Sequence, residues 1–368
     1  MSYILVGTYF GLSFIFRKNK KVAYILLTIL VILSIFSGEN ADSNIYKARY
    51  NSADYFADFT EPIFTFLINT SNLIGLEYKQ FRMILLITYF IIIFFVTMKL
   101  TKNIDFVMLL YFIFPFAIDA VQLRQTTAYI FVYLAFYILL RDGIDINFKN
   151  DKKRILLFIL FICIAGNIHY STFLYLIFLI PILYKETKKN ILFITLFIVE
   201  IIIVLLMNGL INILPESNLT NKIHDVIETT NYFYGSYTAY LRTYLRVLGI
   251  FCIYMVLNGT VINNLKRNNI NNEQLIRCYM VRDFNIYILL IIPFMIYFAD
   301  LYRLQAGLLT LDYITLSYYY QKNNKVGDNI LFKITSMVLP VFILYFYVLN
   351  NESALYVIDP LIKNSLLN

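Results

Sequence analysis

The residues of this chain best equipped for chemistry are arginines, carboxylates, tyrosines and a histidine placed near the ends of apolar segments. Arg124 and Gln125 stand in the stretch Asp119-Ala-Val-Gln-Leu-Arg-Gln, and His169 and Tyr170 in Gly166-Asn-Ile-His-Tyr-Ser. A third polar stretch, Ala299-Asp-Leu-Tyr-Arg, carries Arg303. Guanidinium groups at helix ends can converge on an anion and grip phosphate oxygens through paired N–H bonds. Arg242 and Arg246 are four residues apart, which stacks them on one helix face. His169, Asp42 and Glu61 are groups able to take a proton from a hydroxyl. Tyr46, Tyr170, Tyr232, Tyr234 and Tyr237 offer ring faces to sugar C–H groups and hydroxyls for hydrogen bonds. Together these groups suit a phosphate-linked sugar. Each also has a plainer use: Arg124 can snorkel, His169 can cap a turn, Arg242 and Arg246 can pair with Asp225 or Glu228, and the tyrosines can form an interfacial belt.

Membrane-spanning helices must position these groups. The chain is 60% hydrophobic and only 15% charged, with mean hydropathy +0.68. Soluble chains carry roughly 25% charged residues. Twelve apolar runs between residues 3 and 349 predict an all-α protein of about 12 transmembrane helices, each taking ~20 residues. Residues 1–368 then form a single transmembrane domain with two long loops, 37–80 and 215–240, and no room for a separate soluble catalytic domain.

Lysine and arginine collect after alternate runs, with 21 of the 31 on one side. The positive-inside rule assigns that side to the cytoplasm and both termini to the outside. The segments 104–140, 155–184 and 284–320 are flanked by cytoplasmic basic clusters, so each reads as a hairpin. Their three polar tips and the two long loops share the outer face. That face holds thirteen of the 23 carboxylates and both histidines.

Other functions are excluded or lack a signal. The net charge of +8 sets topology in such a chain and predicts no nucleic-acid partner. Cys163, Cys252 and Cys278 show no paired spacing, so neither a disulfide nor a zinc site is expected. Nucleotide-binding glycine loops, HExxH and GxSxG are missing, which predicts chemistry without cofactor or metal, driven by the substrate or by a gradient.

Four pieces, Asp42-Ser-Asn-Ile-Tyr46, Glu61-Pro-Ile-Phe64, Leu123-Arg-Gln125 and Asn167-Ile-His-Tyr-Ser171, carry a family resemblance across residues 37–185. In order and spacing the chain resembles the EpsG/Wzy group of bacterial polysaccharide polymerases. Leu123 and Ile168 stand where that group more often has Ile and Phe. The resemblance implies a C-type glycosyltransferase-like architecture in the bacterial cytoplasmic membrane with an outward-facing site. It also implies polymerisation of undecaprenyl-diphosphate-linked oligosaccharide repeat units for O-antigen, capsule or exopolysaccharide, with membrane lipids and a chain-length regulator as further partners. Arg124, Arg242, Arg246 or Arg303 would then face the leaving diphosphate, and His169, Asp42 or Glu61 would take the acceptor proton. Two other readings remain open: an O-antigen ligase or polyprenyl-phosphate-sugar transferase, and a lipid-linked oligosaccharide flippase or transporter. A flippase would favour short loops and charges deep within its spans. Glu200 and Asp312 lie inside apolar runs, where each can also pair with a helix neighbour, but this chain gathers its charges at outer tips and in two long outer segments.

Overall fold

The computed structural model describes residues 1–15, 19–40, 42–52, 61–143, 146, 151–184, 186–210, 237–268, 272–296, 301–320, 330–349, 353–363 and 365–367. Every regular element among them is helical. Helices α1 (Ser2–Ile15) and α2 (Lys20–Ile35) lead to two short helices in the first long loop, α3 (Ser43–Asn51) and α4 (Pro62–Leu73). Next come α5 (Tyr78–Leu100), α6 (Ile104–Ile113), α7 (Phe116–Val121), α8 (Leu123–Leu140) and α9 (Lys152–Ile168). A 3-10 helix over Tyr170–Phe178 runs into α10 (Leu179–Leu183), followed by α11 (Glu186–Leu210), α12 (Tyr237–Arg267) and α13 (Asn272–Tyr287). The chain ends with α14 (Tyr302–Ser317), α15 (Ile330–Leu344) and α16 (Ser353–Val357).

Among the described residues, four helices are long and apolar enough to cross a membrane: Tyr78–Leu100, Leu123–Leu140, Tyr244–Arg267 and Ile330–Leu349. Several expected spans are divided instead. Pro115 has no N–H to continue a helix, and α6 stops two residues before it. The run that opens at Phe284 leaves α-geometry after Tyr287 and continues as two short 3-10 segments, Ile288–Ile291 and Pro293–Ile296. The 3-10 form is tighter and seldom sustained, so these segments read as breaks within an apolar run.

The core forms around α8. This helix is apolar on nearly all sides, the pattern of a helix surrounded by others, and it packs most extensively against α9 and α5. Two glycines permit close approaches beside it. A Cβ on Gly166 would collide with the Phe173 ring across the α9 turn, and one on Gly307 in α14 would collide with the Tyr175 hydroxyl.

The two ends of α8 are finished differently. At its C-terminal end, the last carbonyls have no partners within the helix and arginines supply them. Arg154 donates to the Ile138 and Leu139 oxygens at 3.2 and 2.6 Å, and Arg277 donates to the Leu140 oxygen at 2.8 Å and to Arg141 O. At its N-terminal end, α8 begins beside α3, α4 and the turn after α9, where the candidate site lies.

Candidate functional site

The site is built on four separate stretches of chain. Pro62 occupies the first turn of α4, where its fixed φ favours a start and its missing N–H costs nothing. This sets Glu61 at the helix entry. Phe64 and Ile68, four residues apart, bury one face of α4 and draw Glu61 inward, where its side chain is only 7% exposed. The turn after α9 presents His169, whose N–H donates to Ala165 O at 2.8 Å while Thr172 Oγ1 donates to His169 O, also at 2.8 Å. Helix α3 contributes Tyr46 and Arg49, both buried.

Glu61 is the hub. Its Oε2 accepts from Arg124 Nη1 at 2.7 Å and from Arg49 Nη1 at 3.2 Å, and its Oε1 lies 3.2 Å from His169 Nδ1. Burial works against a charged carboxylate here. The hydrogen bond from His169 and the Arg124 charge outweigh it and hold the Glu61 carboxyl at about 2, below its ordinary 4.5. An ionised carboxylate can only accept, so in a neutral ring the His169 proton sits on Nδ1 and the Nε2 lone pair is left to act.

Arg124 is held by two side chains, Tyr46 and Glu61. Its Nε donates to Tyr46 OH at 3.5 Å, its Cζ lies 5.7 Å from the Tyr46 ring centroid, and Nη1 is committed to Glu61. Nη2 has no protein acceptor among the described residues, and the side chain is 34% exposed. A partly open guanidinium edge beside an imidazole is suited to an anion and a transferable proton in the same place. Arg49 is more enclosed: it also reaches Thr65 Oγ1 at 3.4 Å and lies over the Phe64 ring.

A second network lies beside this cluster. With its amide nitrogen assigned toward Gln125 and its oxygen toward Arg303, the orientation that satisfies both neighbours, Gln122 donates to Gln125 Oε1 at 2.6 Å and accepts from Arg303 Nε at 3.1 Å. Gln125 donates to Tyr129 OH, which donates to Arg303 O at 2.7 Å. Gln125 therefore turns toward the bundle interior while Arg124 turns toward Glu61. Beneath them Asp119 is buried with two phenols, Tyr89 OH at 2.6 Å and Tyr111 OH at 2.8 Å.

The structure thus brings Glu61, Arg124, His169 and Tyr46 together and places Arg303 and Gln125 in the adjoining network. Asp42 lies one turn before Tyr46, whose N–H donates to its backbone oxygen at 3.0 Å. Tyr170, 46% exposed, stacks on Phe173 beside His169. Arg246 is elsewhere, against Phe346, with Nη1 3.4 Å from its carbonyl oxygen. Tyr232 and Tyr234 lie outside the described residues, as do the side chains of Tyr237 and Arg242, which fall on the first turns of α12. Sequence reading missed Arg49 and Gln122. Their only signal is position, inside the loop that holds Asp42 and directly before the Leu123-Arg124 pair.

Fold and site together define an α-helical membrane protein with a buried carboxylate joined to two guanidinium groups and an imidazole. The chain belongs to the EpsG family, whose family model matches residues 20–358, and that membership associates it with polysaccharide biosynthesis. No curated protein and no solved structure matches the chain.

Proposed function

We propose that this protein polymerises polyprenyl-diphosphate-linked oligosaccharide repeat units on the outer face of the bacterial cytoplasmic membrane. The undecaprenyl carrier, the outward-facing site, the twelve crossings and the C-type glycosyltransferase-like architecture all belong to this proposal. The observation that carries it is Glu61 binding Arg124 and His169 at once, because glycosyl transfer from a diphosphate needs both a cation and a base.

In this reading the growing glycan is the donor, held through its diphosphate, and a hydroxyl of another lipid-linked repeat unit is the acceptor. The bond between the anomeric carbon and the diphosphate oxygen breaks, and its electron pair leaves with the lipid diphosphate. The acceptor oxygen bonds to the same carbon and gives its proton to His169 Nε2. Charge develops on the leaving oxygen, and the open edge of Arg124 meets it without having to reorganise. Glu61 orients His169 and Arg124; its depressed pKa makes it a poor base. No step here calls on a metal or a nucleotide. Tyr170 and the loop 215–240, with Tyr232, Tyr234 and Tyr237, would hold the glycan.

The test is polymerisation by purified protein in liposomes supplied only with lipid-linked repeat units. Ladders of increasing length are expected, and a deletion strain should display single repeat units. Transfer solely to a different lipid acceptor would instead make the protein a ligase. Accumulation of lipid-linked units on the cytoplasmic side of the deletion strain would make it a flippase.

A further inference from the structure

A cavity opens against helix α3, near the candidate site. It has a volume of about 930 Å³ and lies between the end of α2, helix α3, the turn from α4 into α5 and the C-terminal segment. That segment is fixed to its wall: Ser365 Oγ donates to Phe36 O at 2.9 Å, Leu366 N–H donates to the same oxygen at 2.8 Å, and Gly38 N–H donates to Pro360 O at 2.8 Å.

Three cations line this cavity, Lys47, Lys79 and Arg82. Lys79 and Arg82 are three residues apart and share a face of α5, while Lys47 approaches from α3. Arg82 is the unusual one. Its Nη2 donates to Ser34 O at 3.2 Å, Ala120 O at 3.3 Å and Ser37 Oγ, all neutral oxygens. No carboxylate among the described residues pairs with it, and its Nε and Nη1 have no acceptor there. A largely enclosed guanidinium without a counter-charge is costly. The two carboxylates of the lining, Glu39 and Glu77, are both exposed, and the second forms a reciprocal capping box with Gln80 at the start of α5. The remaining wall mixes polar side chains such as Ser37, Asn51 and Asn72 with exposed apolar ones, Phe36 and Met83 each 42% exposed and Leu366 65% exposed. Cations together with exposed apolar side chains in one cavity match a phosphate headgroup attached to an acyl or prenyl tail.

We infer that this groove binds the diphosphate headgroup of a second lipid-linked substrate, the acceptor, while Arg124 serves the donor. The inference rests on the polymerase reading, in which two lipid diphosphates must be bound at once. Helix α3 borders both sites, offering Tyr46 and Arg49 to one and Lys47 and Tyr50 to the other. An acceptor anchored in the groove would extend its glycan past α3 toward His169.

The experiment measures the stoichiometry and affinity of radiolabelled undecaprenyl diphosphate on the full chain in neutral phosphatidylcholine nanodiscs, then acceptor KM in polymerisation. The wild type should bind two equivalents. Arg82→Gln should weaken one of them at least tenfold, and so should the double variant Lys47→Ala/Lys79→Ala, whose exposed lysines make no hydrogen bond that the fold needs. Arg124→Ala should weaken the other. The lysine variant should raise acceptor KM about tenfold while leaving donor KM near wild type. One equivalent on the wild type, an unchanged pair in both groove variants, or displacement of the groove equivalent by phosphatidylglycerol at the same concentration would overturn the assignment. Failure of the wild type to polymerise would sink the polymerase reading and the acceptor role while leaving the binding result intact. Normal polymerisation with unchanged acceptor KM in the lysine variant removes the groove inference alone.

Discussion

The two ends of α8 use the same side chain for opposite purposes. At the C-terminal end, Arg154 and Arg277 meet backbone carbonyls, where the helix dipole favours a cation and every bond completes an unfinished helix end. At the N-terminal end, Arg124 sits in the first turn, where the dipole disfavours it and a carboxylate borrowed from another segment must compensate. An arginine that satisfies the local rule is explained by folding. One that violates it, and keeps a donor edge open, calls for another explanation, and the proposed role at the diphosphate supplies one.

The largest effect expected from this contrast is at the open end. Arg124→Ala should lower polymer formation per folded molecule by ~10²–10³, the usual cost of removing a preorganised group from developing charge. Arg124→Lys keeps the charge but loses the planar fork, so it should recover only a small part. His169→Gln should cost ~10²–10⁴, the range for a general base. Gel analysis of products from liposomes, normalised to folded protein by size exclusion, measures all three. Wild-type ladders from Arg124→Ala would erase the distinction between the two ends.

The reciprocal effect is expected at the closed end. Arg277→Ala removes bonds to the carbonyls of Leu140 and Arg141, each hydrogen bond from a charged donor being worth ~1.5–3 kcal/mol. The variant should melt earlier in detergent while each surviving molecule turns over within about twofold of wild type. A stable but inactive Arg277→Ala would put this arginine in the mechanism and break the comparison.

Glu61 sharpens the contrast through pH. Its carboxyl is held at about 2 in the folded chain, against 4.5 ordinarily, so the folded state binds the proton less readily. The associated stability is fully present above 4.5 and disappears as pH falls toward 2, and it amounts to roughly 3 kcal/mol. Melting temperature of the wild type should therefore fall across that window. Glu61→Gln should start lower at neutral pH and show a shallower decline. Parallel curves for the two proteins would mean that Glu61 is not the group titrating.

Much of this arrangement was legible in the sequence because its parts are local. Leu123-Arg-Gln, Asn167-Ile-His-Tyr-Ser and Glu61-Pro each place a reactive side chain at a helix boundary, and boundaries are written in neighbouring residues. What could not be read is the pairing. Arg49 and Glu61 are 12 residues apart and meet only because α3 and α4 fold against one another, and His169 reaches Glu61 across 108 positions. The inward turn of Gln125 was equally hidden, since it depends on Tyr129 and on Arg303 far along the chain. Span counting met a similar limit: hydropathy registers the apolar run at 104–118 but not the helix break that divides it.

The smallest expected effect concerns Tyr46 and separates its two contacts with Arg124. The hydroxyl accepts from Arg124 Nε at 3.5 Å, long for a hydrogen bond and therefore weak, while the ring lies 5.7 Å from the guanidinium carbon. Tyr46→Phe deletes the hydroxyl and keeps the ring, so turnover should remain within about twofold. Tyr46→Leu removes the ring as well, and with it a cation–π contact worth ~0.5–1 kcal/mol at a partly exposed site, or about two- to fivefold in rate or affinity. Because that ring contact exists before the donor arrives and persists through the reaction, its loss should appear chiefly in KM for the donor rather than in kcat. A kcat loss in Tyr46→Phe comparable to that of Arg124→Ala would show instead that the hydroxyl takes part in the chemistry. The open end of α8 would then hold two proton-carrying groups, and the role given to His169 would have to be shared.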